Sequence, residues 1–254
     1  MSDLFYDEFA DYYDEMINWE SRLKFEGKHF KKLFGRHGVK RVLDAGCGTG
    51  KHSILFAGLG LQVVGIDASE PMLEQAKRNA EEEGAKGIRF AVGNFAELTR
   101  TIRGRFDAVV CLGNSLPHLI ADADVVQTLR EFYALLRKGG LLVLQGVHFD
   151  HYLDSAESAV AVTDGVRDGR PITFRRHYEF KGTKVIFHVS VFDRYRRELL
   201  ENYNSPLNPI RRELLETFLE KVGFTDIQFY KNIALRPLTA ASKNLACLAR
   251  KPEV

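Results

Sequence analysis

A glycine turn and the residues at four strand ends carry the chemistry of this sequence. Gly46-Cys-Gly-Thr-Gly50 lies between a short apolar run, 41–44, and a helical stretch, 51–59, so the backbone turns sharply where a ligand can approach without meeting a Cβ. A dinucleotide fingerprint needs Gly-x-Gly-x-x-Gly, but the sixth position from Gly46 is Lys51. Asp44, just before the turn, would repel a pyrophosphate and attract a cation. Asp67, followed by Ala68, ends the next strand, where a carboxylate can accept both hydroxyls of a ribose. Asn94 follows the third strand and can exchange hydrogen bonds with an adenine edge, while Phe95 and Met72 offer apolar faces to the ring. Gly113 and Asn114 follow the fourth strand. Together these groups describe a crevice for a positively charged nucleoside that lacks phosphate. S-adenosylmethionine, with a sulfonium, an ammonium and one carboxylate, has that chemistry.

The elements that must position these residues follow from periodicity. Two amphipathic helices come first, one carrying Phe5, Phe9, Tyr12, Tyr13 and Met16, the second over about 21–34. Apolar runs at 41–44, 62–67, 88–92, 106–111 and 141–145 alternate with helical segments, of which one opens at the capping Ser69 with Pro71 in its first turn and another spans about 125–137. That alternation predicts a doubly wound α/β fold with a mostly parallel sheet covered on both faces. The period then changes. Segments 171–180 and 185–193, joined by Lys181-Gly-Thr-Lys184, predict an antiparallel β-hairpin appendage. A helix over about 210–222 stops at Gly223 and feeds two last strands, 227–230 and 245–249, for seven in the main sheet. The expected organisation is a single domain, with N-terminal helices acting as a lid over 1–37, a core over 38–150, an antiparallel insertion over 151–205 and a C-terminal helix with two strands over 206–254.

Four motifs in order, Val42-Leu-Asp-Ala-Gly-Cys-Gly-Thr-Gly50, Gly65-Ile-Asp-Ala-Ser69 with Met72, Gly93-Asn-Phe95, and Phe106 through Ser115 with His118, resemble the class I S-adenosylmethionine-dependent methyltransferases. The run Cys111-Leu-Gly-Asn-Ser115 with His118 and Leu119 is especially similar to the glycine N-methyltransferase group. The resemblance implies a Rossmann-like sheet. It also implies cofactor contacts from Gly46, Asp67, Asn94, Phe95, Leu112, Gly113 and Asn114, with Tyr13 closing from the first helix; Asp44, Cys47, Gly48, Gly50, Ala68 and Met72, in or beside the same turns, are further candidates for cofactor contact. Where glycine N-methyltransferases carry a His-Arg pair after the fifth strand, this chain reads Gly146-Val147. The sugar-amine N,N-dimethyltransferases, which also add an antiparallel layer, are an equal comparison.

Methyl transfer is an in-line displacement on an already activated carbon, so alignment does most of the work; it can supply roughly 7–11 kcal/mol. An amine must be neutral to attack, which gives a nearby base a use. His118, His148 and Tyr13 are the candidates for a direct part, and Asn114, His118, His148, His151, Arg175, Arg176 and Tyr178 for holding the acceptor, arginine suiting a carboxylate or phosphate. His148 and His151 with no third ligand predict no metal. A formal net charge of +2 with 28% charged residues argues against a nucleic-acid or membrane-surface partner, leaving a small molecule, with a homodimer possible. Cys47, Cys111 and Cys247 lack paired spacing, and the first 20 residues carry seven acids and no signal pattern, so a soluble cytoplasmic protein is expected. The favoured acceptor is an amine nitrogen. An O-methyltransferase is the near alternative; a nicotinamide-dependent oxidoreductase and a non-catalytic cofactor-binding protein are distant ones.

Overall fold

A computed structural model describes residues 4–155, 160–181 and 184–253. Helices α1 (Leu4–Met16) and α2 (Trp19–Arg36) precede the first strand, the second capped by Asn18, whose side chain accepts from the Ser21 amide. The core then alternates: β1 (Arg41–Ala45), α3 (Lys51–Gly58), β2 (Gln62–Asp67), α4 (Glu70–Glu82), β3 (Ile88–Val92), a short α5 (Leu98–Thr101), β4 (Phe106–Cys111), α6 (Asp122–Leu135) and β5 (Leu136–Val147). Strands β1 to β5 run parallel, and their centres are apolar on both faces; Val42, Leu43 and Ala45 have no exposed surface. Ser69 caps α4 as its sequence predicts, accepting from the Met72 amide. The sheet is completed near the end of the chain by β10 (Thr225–Tyr230) and β11 (Asn244–Arg250), giving the order β10-β11-β5-β4-β1-β2-β3. The strand order reverses between β1 and β4, which lie side by side and parallel, so a crevice opens at their carboxyl ends.

After β5 come α7 (Phe149–Asp154) and four antiparallel strands: β6 (Val160–Arg167), β7 (Arg170–Lys181), β8 (Lys184–Asp193) and β9 (Leu199–Leu207), paired in that order. The predicted hairpin is therefore the centre of a separate four-stranded sheet. Its flanking strands are hard to see in sequence for opposite reasons. Strand β6 turns Val160, Val162 and Val166 to solvent, and β9 reads Glu201-Asn-Tyr-Asn204 with Pro206, a composition that suggests a loop. Lys181 and Lys184 pair across the hairpin end, while Gly182 and Thr183 of the expected turn lie outside the described residues. Helix α8 (Arg212–Val222) ends at Gly223 with φ +104°, as predicted, and leads into β10 and β11.

Helix α1 packs against α4, β6 and β9. Its Phe5, Phe9 and Met16 meet Ile172, Phe174, Val189 and Val191 in a core separate from those on the two faces of the main sheet. Phe9 and Phe174 are fully buried with their rings edge to face, so truncating Phe9 to alanine would cost about 3–5 kcal/mol and release the helix from the second sheet. No helix among the described residues is long and apolar enough to cross a membrane.

Candidate active site

Two adjoining cavities occupy the crevice. The first, about 490 Å³, lies over the carboxyl ends of β1 to β4 and is lined by Gly46, Gly48, Asp67, Ala68, Met72, Asn94 and Phe95 among others. The second, about 400 Å³, lies between those loops and the antiparallel sheet, and Arg22, Asn114, Arg176 and Tyr178 face it. Tyr6, Tyr13 and His118 line both, and so form the wall between cleft and chamber.

The cleft is shaped by backbone. Gly46 sits at φ +74°, and a Cβ there would lie 2.8 Å from Ser115 Oγ, so no other residue fits without moving the loop after β4. The Gly48 amide donates to Asp67 Oδ2 at 2.8 Å and the Ser69 amide to Asp67 Oδ1 at 3.0 Å. This fixes the carboxylate at the lip, and burial raises its pKa, opposed by those two amide bonds. Asn94 Oδ1 accepts from the Ala96 amide at 2.9 Å, which leaves its amide group to meet a ligand, and Phe95 is held edge to face against Phe132.

Asp44 does not reach either cavity. It is buried with its Oδ2 accepting from Ser53 Oγ at 2.6 Å, because its position in β1 points it at α3, and burial raises its pKa. Its expected contact with a cationic ligand group is corrected to a structural one. Gly50 caps α3 with its Cα face against Ala76 and Phe90, and Cys47 and Leu112 are buried beside the turns, so these three shape the walls without lining them.

At the end of β4, Asn114 takes φ +75°, a left-handed conformation unusual outside glycine. Its amide donates to the Gln145 carbonyl at 3.2 Å, and its Oδ1 accepts from the Val147 amide at 3.0 Å. A Cβ on Gly146 would sit 2.9 Å from that oxygen, so Gly146 is required by the Asn114 turn. The end of β5 thus serves the loop after β4 and sends no side chain from position 146 toward an acceptor.

His118 bridges the two sheets: Tyr6 Oη lies 2.9 Å from its Nε2 and Ser205 Oγ 3.2 Å from its Nδ1. Tyr13 packs against Tyr6, Phe9 and Trp19, and burial pushes its hydroxyl up to about 12, so it stays protonated at neutral pH. Arg176 donates from Nη2 to Thr163 Oγ1 at 2.9 Å, its Nε is buried without a partner, and burial lowers its pKa. A buried unpaired donor costs about 1–3 kcal/mol, so this atom awaits an acceptor.

The remaining predicted residues lie elsewhere. His148 Nδ1 and His151 Nδ1 bond the Ser242 and Ala240 carbonyls, each at 2.8 Å, and tether α7 to the segment before β11. Neither lines either of these two cavities, since they sit at the cap and in the first turn of α7, beyond the end of β5. Arg175 points to solvent because neighbouring residues on β7 alternate faces. Sequence reasoning missed Tyr6, Arg22 and Thr163. Tyr6 lies seven residues before Tyr13, on the same face of α1, and Arg22 precedes Glu26 by one helical turn, a spacing that marks a pair.

The chain matches the family described as a methyltransferase domain over residues 42–140. It is 36% identical over 233 residues to a glycine/sarcosine N-methyltransferase of Aphanothece halophytica, a match that spans 87% of this chain and 80% of that protein. The chain belongs to the class I S-adenosylmethionine-dependent methyltransferases, in the glycine N-methyltransferase group. This methyltransferase is similar also to a glycine/sarcosine N-methyltransferase of Halorhodospira halochloris, at 34% identity over 88% of this chain and 80% of the other. The CcbJ methyltransferase from Streptomyces caelestis shares its fold, with a TM-score of 0.79 at 19% identity over 98% of both chains. The protein is therefore an enzyme whose cofactor is S-adenosylmethionine.

Proposed function

We propose that this methyltransferase transfers a methyl group to the nitrogen of a small amine that also carries a carboxylate. The observation that carries the reading is Arg176, whose unpaired buried Nε faces a chamber separated from the cofactor cleft only by Tyr6, Tyr13 and His118. A guanidinium there pairs well with a carboxylate and poorly with an uncharged phenol or alcohol. The names of the relatives, enzymes of glycine and sarcosine, agree with an amino-acid acceptor.

The cleft fits the cofactor: glycines where a side chain would collide, a carboxylate at the lip and apolar faces beyond it. Bound, S-adenosylmethionine supplies an electrophilic methyl on a sulfonium. Asp67 holds the ribose hydroxyls, Met72 and Phe95 enclose the adenine, and Asn94 meets its edge through the free amide group. The methionyl end would pass the dividing wall into the near end of the chamber, which Gly113 and Asn114 border and which Arg22 faces with a guanidinium for the cofactor's carboxylate. Arg176, with Tyr178 beside it, orients the acceptor so that its nitrogen points at the dividing wall. Tyr13 and Tyr6 exclude water there, which favours the neutral, attacking form of the amine. His118, whose two ring nitrogens are engaged by Tyr6 Oη and Ser205 Oγ, fixes the Tyr6 hydroxyl on that wall beside the reacting nitrogen. In this reading α1 is the lid and the four-stranded sheet is the acceptor layer.

The test uses methyl-labelled cofactor with matched acceptors, an amino acid against the amine lacking its carboxylate, such as sarcosine against dimethylamine, and phenols as controls. Label is expected on nitrogen and chiefly on the carboxylated member of each pair. Label on oxygen alone, or equal labelling of both amines, overturns the reading.

A further inference from the structure

Glu26 on α2 is only 4% exposed, an expensive place for a carboxylate that takes no part in the chemistry assigned so far. Its neighbours account for its retention. Arg22 Nε donates to Glu26 Oε2 at 3.2 Å, and Arg22 Nη2 donates to Gln145 Oε1 at 3.2 Å. Gln145 closes the ring by donating from Nε2 to Glu26 Oε1 at 3.1 Å, and His52 Nε2 lies 2.6 Å from Glu26 Oε2. The Arg22 guanidinium also lies over the Trp19 ring, 5.2 Å from its centroid. A guanidinium has five N–H donors. Two are taken on one side by this ring, so the others point toward the chamber that Arg22 lines.

The three supports, Arg22, His52 and Gln145, come from three elements, α2, α3 and β5. A merely structural cluster would be served as well by apolar side chains of the same volume, because an ion pair in the interior gains little over them. What the charged version adds is a fixed direction for one arginine at the cavity wall. We infer that Glu26, supported by His52 and Gln145, is a positioning residue for the cofactor site: it holds the Arg22 guanidinium at the angle that receives the methionyl carboxylate. The inference rests on the proposed role of Arg22, and its test separates the two.

The experiment is a double-mutant cycle on the full chain, reading S-adenosylmethionine affinity by calorimetry and KM and kcat by labelled methyl transfer. Glu26→Gln is expected to weaken cofactor affinity about tenfold, with kcat and the acceptor KM within about twofold, since a bond to one charged partner is lost while the reacting groups stay. In an Arg22→Ala background the same change should add less than about twofold, the sign of two residues acting as one. An equal loss in both backgrounds, or none in either, overturns the inference. Should Glu26→Gln fail to fold, Gln145→Leu leaves the Glu26–His52 pair intact, and it is expected to weaken affinity in the wild-type background only. Unchanged affinity in Arg22→Ala alone would instead remove the role of Arg22 and leave the amine assignment standing.

Discussion

Cleft and chamber share a wall, yet they are built by opposite means. The cleft is made of backbone turns and short side chains that follow consecutive parallel strands, so each contributor sits beside a local motif. The chamber gathers long side chains from α1, α2, the loop after β4 and the strands β6 to β8. The charges differ in the same way. Asp67 at the cleft is paired with no cation among the described residues, and burial raises its pKa, whereas Glu26 beneath the chamber is held at about 2. Burial works against that charge too, but the hydrogen bond from His52 and the Arg22 guanidinium outweigh it. The enzyme thus leaves one acid waiting for ribose hydroxyls and commits the other to an arginine. A carboxylate's behaviour is decided by what stands beside it, since both are removed from water.

The largest test of that contrast is acid stability. A glutamate whose pKa is depressed on folding contributes stability that is complete above its unfolded value near 4.5 and is lost as pH falls toward about 2. A shift of that size corresponds to something on the order of 3 kcal/mol. The difference in urea stability between the wild type and Glu26→Gln should therefore narrow by about 2 kcal/mol between pH 7 and pH 3. Asp67 carries the opposite sign: its raised pKa costs stability at neutral pH in the empty enzyme, and that cost shrinks on acidification. A gap that stays constant with pH would mean that the Glu26 charge is not what the ring stabilises.

Next in size are two substitutions that should separate the halves. Asp67→Ala removes the acceptor for the Gly48 and Ser69 amides as well as for the ribose, and cofactor affinity should fall by about 1–3 kcal/mol, read by calorimetry. Arg176→Met keeps the bulk of the side chain and removes its charge, so the acceptor KM should rise about tenfold to a hundredfold, the worth of a hydrogen bond to a charged group, while cofactor affinity holds. If both variants moved both constants alike, the two cavities would be one binding unit.

The same contrast explains what could be read from the amino acids alone. The strands β1 to β4 and their turns follow from apolar runs punctuated by glycine, and Asp67 and Asn94 stand where a strand must end, so the position of the cleft could be read from local motifs. Asp44 was misplaced because alternation along a strand gives a face, and which face meets α3 depends on packing. The chamber was legible only in part. Arg176 and Tyr178 were candidates by type, but Arg22 and Tyr6 reach the site through helix placement, which rests on Phe9 meeting Phe174 across some 165 residues of chain. Strands β6 and β9 escaped because one turns its valines outward and the other carries Asn202, Asn204 and Pro206.

The smallest expected effect draws the sharpest line. Arg175 and Arg176 are adjacent and identical in type, yet on a strand they face opposite sides. On β7 the inward set, Ile172 and Phe174, is buried in the core shared with α1, and continuing by twos leads to Arg176 and Tyr178. The outward set contains Arg175 and His177, whose ring stacks on His188 of β8 at 4.5 Å, away from both cavities. Arg175→Ala should leave the acceptor KM within about twofold and stability within about 0.5 kcal/mol, as for an exposed side chain with no special partner. A rise in acceptor KM comparable to that of Arg176→Met would require the strand to shift by one residue. That shift would carry Phe174 out of the core and Arg175 into it, and calorimetric melting of the wild type would show a far less stable protein than its packing implies.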